Sequence, residues 1–176
     1  MAKGKKPIKE ITFTGIMAAL VFVFTFTLKI PLGTGYAHLG DTIIFISIAI
    51  IGYKNAAAAG ALGAALADLA GGYVAYALPT LAIKFLMVII AGLIIKKLPN
   101  KIWSFIIGVT IGGIFQIGAY TLTKVLLYGK TLAITTLPDL LIQTVFGIVS
   151  ASVLLAVLEK SGAAKKLRSL SKTSTK

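Results

Sequence analysis

In so apolar a chain the side chains able to do chemistry are few, and their spacing is informative. Asp41, Asp68 and Lys84 interrupt otherwise hydrophobic stretches, while Gln116, Tyr120 and Lys124 recur every four residues, which stacks them on one helical face. Gln143 lies further along, and the uncharged stretches 31–40 and 69–79 contribute Tyr36, His38, Tyr73 and Tyr76. Such a set suits capture of a small polar ring, with aromatics to stack on it and a few amides and charges to orient it. It does not suit covalent chemistry. Cysteine is absent, no nucleophile–histidine pair, HExxH or GxSxG pattern occurs, and the single histidine, His38, has no second imidazole with which to share a metal. Gly129-Lys130-Thr131 imitates the end of a phosphate-binding loop, but Lys124 stands where the first glycine is required. No enzyme activity, metal or cofactor is expected. Each polar residue also has a plainer reading. The tyrosines suit an interfacial aromatic belt, Asp41 suits a helix N-cap, and Asp68 with Lys84 suits an ion pair that merely ties two helices together.

The elements that position these groups follow from composition. Hydrophobic residues make up 57% of the chain, charged ones 13%, and the mean hydropathy is +0.96. A soluble fold of 176 residues cannot hide that much apolar surface. Lipid is the solvent, and long Leu-, Ile-, Ala- and Gly-rich runs without alternation specify helices rather than a β-barrel. Three uncharged runs, 11–28, 102–123 and 140–158, reach roughly 27–33 Å at ~1.5 Å per residue, enough for a hydrocarbon core of ~30 Å. The stretch 39–97 is cut by Asp41, Lys54, Asp68 and Lys84 and reads as helices over 40–53, 55–71 and 79–97. A tight turn is expected at Lys54-Asn55, and a break at Gly71-Gly72 with Pro79 beyond. The predicted fold is an all-α membrane protein, a six-transmembrane-helix bundle.

Lysine and arginine set its orientation. With both termini cytoplasmic, 14 of the 18 basic residues face the cytoplasm, leaving Lys29, Lys84, Lys124 and Lys130 outside or in the outer half of a helix. The expected organisation is a basic cytoplasmic N-terminus over 1–9, a transmembrane domain over 10–160 and a basic cytoplasmic tail over 161–176, solvated and brushing anionic lipid. The net charge of +13 thus reflects topology, and no nucleic-acid partner is expected. Gly15 with Ala19, Ala56 with Gly60 and Ala64, and Gly108 with Gly112 are small-residue pairs that let helices approach closely.

Basic ends, the Gly15/Ala19 pair and outer-face polar groups are accompanied by an ordered series: His38-Leu39-Gly40-Asp41, Gly60 to Gly63, Ala67-Asp68-Leu69 with Gly72-Tyr73, and Pro79-Thr80 with Lys84. Together they resemble the S components of energy-coupling factor transporters, in the branch related to riboflavin-type S components. The resemblance implies an ATP-driven vitamin importer of the bacterial plasma membrane. In such importers the S component captures the vitamin, and a membrane T component with two cytoplasmic ATPases supplies the energy. It also implies that Gly15 and Ala19 meet the T component, with Gly15 departing from the family's alanine, and that the subunit topples in the membrane. Within that branch a pyridoxine- or hydroxymethylpyrimidine-like vitamin is favoured, with pantothenate and riboflavin open. The rivals are a self-sufficient transporter using Asp41 or Asp68 as proton carrier, and a membrane scaffold without ligand.

Overall fold

The computed structural model describes residues 8–31, 36–98 and 101–171. In order these form α1 (Ile8–Phe26), β1 (Lys29–Pro31), β2 (Tyr36–His38), α2 (Gly40–Ile51), α3 (Tyr53–Ala70), α4 (Val74–Lys97), α5 (Lys101–Tyr128), α6 (Lys130–Thr135), α7 (Leu137–Lys160) and α8 (Ala163–Ser171). Four of them, α1, α4, α5 and α7, are long and apolar enough to cross a membrane, in a chain that is predominantly helical. The two strands form a short antiparallel ribbon with Ile30 opposite Ala37. Its second strand lies in the uncharged stretch 31–40.

The six expected helices have counterparts, with shifted ends that have physical causes. The turn between α2 and α3 is a single residue, Gly52, at φ 78° and ψ 153°. Only glycine tolerates that backbone, so the turn falls there, and Lys54-Asn55 instead begin α3. At the far end of α3, Gly72 takes φ 82°. Tyr73 N–H bonds the Asp68 carbonyl at 2.8 Å, and Gly72 N–H bonds the Leu69 carbonyl at 3.3 Å. This Schellman closure satisfies carbonyls that the helix end orphans. It also lets α4 restart at Val74, so Pro79 sits within the helix rather than opening it.

Small residues let the helices interlock. On α3, Gly60 faces Ile44 of α2, and a Cβ at Gly63 would stand 2.4 Å from the Ala18 carbonyl oxygen of α1. On α5, Gly108 and Gly112 face the Ala91 and Met87 carbonyls of α4. These pairs pack internally. Gly15 does the opposite: it is exposed, with nothing within 4 Å of where a Cβ would stand, and Ala19 one turn on is also exposed. Gly63→Val is therefore expected to prise α1 from α3 and lower stability by about 1–3 kcal/mol, read as a fall in the thermal midpoint in detergent. An unchanged midpoint would mean that the two helices do not pack so closely.

The tail, expected to be solvated, is helical from Ala163 to Ser171 and folds back onto the bundle. Arg168 Nε donates to the Ala49 carbonyl at 2.7 Å, Ser171 Oγ donates to the Ile50 carbonyl at 3.0 Å, and Arg168 Nη2 pairs with Glu159 at 2.5 Å. Two side chains of α8 thus satisfy carbonyls of the last turn of α2, which have no partner within their own helix. This anchors α2 at one end. Its 12 residues rise only about 18 Å, less than a ~30 Å hydrocarbon core, and Asp41 lies at its other end.

Candidate substrate-binding site

Asp41 is the second residue of α2 and is fully buried. It does not act as the expected N-cap. Leu39 holds that position, and the Asp41 carboxylate turns inward instead. Its Oδ1 pairs with Lys84 Nζ of α4, and its Oδ2 accepts from Gln116 Nε2 of α5 at 2.9 Å. Lys84 Nζ donates in turn to Gln116 Oε1 at 2.5 Å, and Gln116 Nε2 donates to Thr144 Oγ1 of α7 at 3.1 Å. The Thr144 hydroxyl donates in turn to the Leu140 carbonyl at 2.8 Å. One network thus ties four helices together. The carboxylate that Lys84 reaches is that of Asp41 and not of Asp68, so the plainer reading of Asp68 with Lys84 as an ion pair does not hold. Depth along the chain suggested Asp68, but the short α2 carries Asp41 to the same level, and helix packing turns it towards α4.

The close approach of α7 makes this possible. A Cβ at Gly147 would stand 2.8 Å from the Asp41 Cβ, so only glycine leaves room for the carboxylate beside α7. Burying an ammonium and a carboxylate is tolerable only when they are paired and further hydrogen-bonded, and here Gln116 bonds both, accepting from Lys84 and donating to Asp41.

Above the network lies a cavity of about 240 Å³. Nine of the eleven residues expected to bind a ligand line it: His38, Asp68, Tyr73, Tyr76, Lys84, Gln116, Tyr120, Lys124 and Gln143. Asp41 lies beneath it, behind Lys84. Tyr36 falls in β2, and its side chain lies outside the described residues. The face of α5 carrying Gln116, Tyr120 and Lys124 runs up one wall. Tyr120 donates to Thr80 Oγ1 at 2.9 Å, and its ring centroid lies 5.5 Å from Lys84 Nζ, within cation–π reach. Lys124 Nζ donates to Thr136 Oγ1 at 2.7 Å, and the Tyr76 ring stacks on that of Tyr128 with centroids 5.7 Å apart.

His38 closes one side. Its Nδ1 accepts from the Gly40 N–H at 3.2 Å, and its Nε2 lies 2.7 Å from the Gln143 amide, so the imidazole bridges the start of α2 to α7. Thr80, Thr136, Asp139 and Leu140 also line the cavity. Thr136 and Thr144 gave no signal in the sequence, because a threonine in an apolar run bonds its own helix by default.

Tyr120→Phe removes one hydroxyl from this wall. It is expected to weaken ligand binding about 3–10-fold, the worth of a single hydrogen bond, while Tyr120→Ala, which also removes the ring beside Lys84, weakens it further. Calorimetric titration of both variants checks the order. Equal losses would show that the ring contributes nothing.

The family described as ECF-type riboflavin transporter, S component, matches residues 5–160. The chain belongs to that family. Among curated proteins, the thiamine precursor transporter HmpT of Lactococcus lactis subsp. cremoris is 34% identical over 160 residues, covering 89% of this chain and 92% of the relative. A protein from Pyrococcus woesei, described as an uncharacterized protein in a gap 3′ region, is 32% identical over 143 residues, covering 81% of this chain and 95% of that one. This family is one of transporter subunits rather than enzymes, and with its long apolar helices the chain is a multi-pass membrane protein.

Proposed function

We propose that this S component captures a single-ring B vitamin or vitamin precursor, pyridoxine- or hydroxymethylpyrimidine-like, at the outer face of a bacterial plasma membrane. A membrane T component and two cytoplasmic ATPases complete the importer. The bundle crosses the bilayer six times, α2 and α3 included, with both termini cytoplasmic. The observation that carries the substrate reading is the cavity itself: about 240 Å³, ringed by Tyr73, Tyr76 and Tyr120 and floored by the Lys84 network. That size lies below the roughly 300–1,000 Å³ of pockets for drug-sized ligands, so a single ring suits it better than the three fused rings of riboflavin. The relationship to a protein named for thiamine precursor transport supports the same choice.

Orientation rests on charge. The basic residues of α8 and Lys160 lie at the end of the bundle away from the cavity, and the preference of lysine and arginine for the cytoplasmic side supports a cavity open to the outside. Gly15 and Ala19, outward-facing on α1, are the surface offered to the T component.

The test is uptake in proteoliposomes. Sustained accumulation is expected only when the T component, the ATPases and ATP are present, whereas the subunit alone binds without accumulating. Accumulation by the purified chain in a proton gradient without ATP would overturn this reading. It would point instead to Asp41 or Asp68 as a proton carrier.

A further inference from the structure

The cavity holds more charge than a neutral vitamin needs, and its arrangement is selective. Lys84 is 3% exposed and has three N–H donors, of which one goes to Asp41 and one to Gln116. Both N–H donors of Gln116 are engaged, by Asp41 and Thr144. The floor therefore offers a ligand one N–H from an ammonium whose charge Asp41 already cancels. Higher up, Lys124 stands with Asp139 and Asp68 around the same cavity. Counting Asp41 beneath the cavity, two ammonium groups, Lys84 and Lys124, stand with three carboxylates, Asp41, Asp68 and Asp139.

We propose that this site selects against carboxylates: it takes a neutral or cationic nitrogen heterocycle whose ring nitrogen or hydroxyl accepts from Lys84, and it rejects the corresponding acid. This rests on the vitamin-capturing reading given above. A second carboxylate at the floor would compete with Asp41 for one ammonium, and the cavity's other ammonium, Lys124, stands higher up with Asp68 and Asp139 around it. The sequence leaves pantothenate open because Lys84 and Lys124 both look like available cations. The structure commits Lys84 to Asp41 and sets Lys124 on the same cavity as Asp139 and Asp68.

Matched pairs of ligands test the proposal on the intact chain in detergent: pyridoxine against pyridoxic acid, hydroxymethylpyrimidine against its carboxylic acid, and panthenol against pantothenate. In every pair that binds, the neutral member is expected to win by about 10- to 100-fold, as like-charge juxtaposition predicts. An acid that binds as well as its neutral partner overturns the selection and leaves vitamin capture standing. Silence from all three pairs overturns vitamin capture as well. Asp41→Asn provides the second arm, since it frees the Lys84 charge. It is expected to move the preference at least tenfold towards the acid. An unchanged preference in a folded Asp41→Asn protein overturns the role of Asp41, and the wild-type pairs decide the selection whether or not that variant folds.

Discussion

Lys84→Met is expected to abolish ligand binding and to destabilise the bundle by about 3–5 kcal/mol, the cost of stranding a buried carboxylate. The two effects arise from different bonds. The loss of stability follows from Asp41, which is fully buried and would keep only its contact with Gln116. The loss of binding follows from the spare N–H of Lys84 that faces the cavity. Asp41→Asn should cost a similar amount of stability from the other side of the pair. The double change, Asp41→Asn with Lys84→Met, leaves no ion unpaired and should cost clearly less than the sum of the two. Thermal unfolding of the three variants closes the cycle. Additive losses would show that the two residues do not interact, and the network described above would be wrong. The same design applied to Asp68 with Lys84 should give additive losses, because Lys84 pairs with Asp41.

The second large effect concerns α1. Gly15→Leu or Ala19→Leu is expected to reduce energised uptake to background while leaving ligand affinity within about twofold of wild type. Both positions are exposed on the outer face of α1, and Gly15 has open space where a side chain would grow. Leucine there disturbs nothing inside the bundle, in contrast to Gly63, where a Cβ meets the Ala18 carbonyl. A bulky side chain does obstruct a helix that must approach closely, and small faces are what membrane helices use for such approach. Co-purification of the T component with tagged variants, alongside titration with ligand, separates the two functions. Loss of both binding and assembly would instead mark these residues as structural, and intact uptake would place the partner surface elsewhere.

These two cases show where the sequence was legible. The apolar runs located the long helices, because only a helix satisfies backbone groups in lipid and the runs match its length. The four-residue spacing of Gln116, Tyr120 and Lys124 placed them on one face of α5, and all three line one cavity. Asp68, Lys84 and Gln143 were marked by the cost of burying polar groups in apolar runs. The partner of Lys84 was not legible. Position along a membrane helix gives height in the bilayer but not the direction a side chain faces, and two carboxylates competed at nearly the same height. The packing of α2 against α7 decided for Asp41, through the space left at Gly147. The docked α8 was hidden for a different reason. Its basic, serine-rich composition looks solvated, yet Arg168 and Ser171 find the unpaired carbonyls at the end of α2, a feature of tertiary structure. Thr144 was missed because nothing in its neighbourhood distinguishes it from a threonine bonded only to its own helix.

Short α2 also gives the architecture a functional logic. It is held at one end by α8 and at the other by the Lys84–Gln116 network, so the floor of the cavity is fixed from both ends of α2. A rigid floor suits a protein that must recognise a small ring by one or two hydrogen bonds, since misplacing a donor by an ångström forfeits much of its value.

Titration of the purified chain with a panel of B vitamins and their precursors, repeated on Lys84→Met, tests this account most directly. Saturable, nanomolar-scale binding of a neutral single-ring compound by the chain without partners, lost in Lys84→Met, is the predicted result. Binding that survives Lys84→Met unchanged, or a panel in which nothing binds, would contradict it.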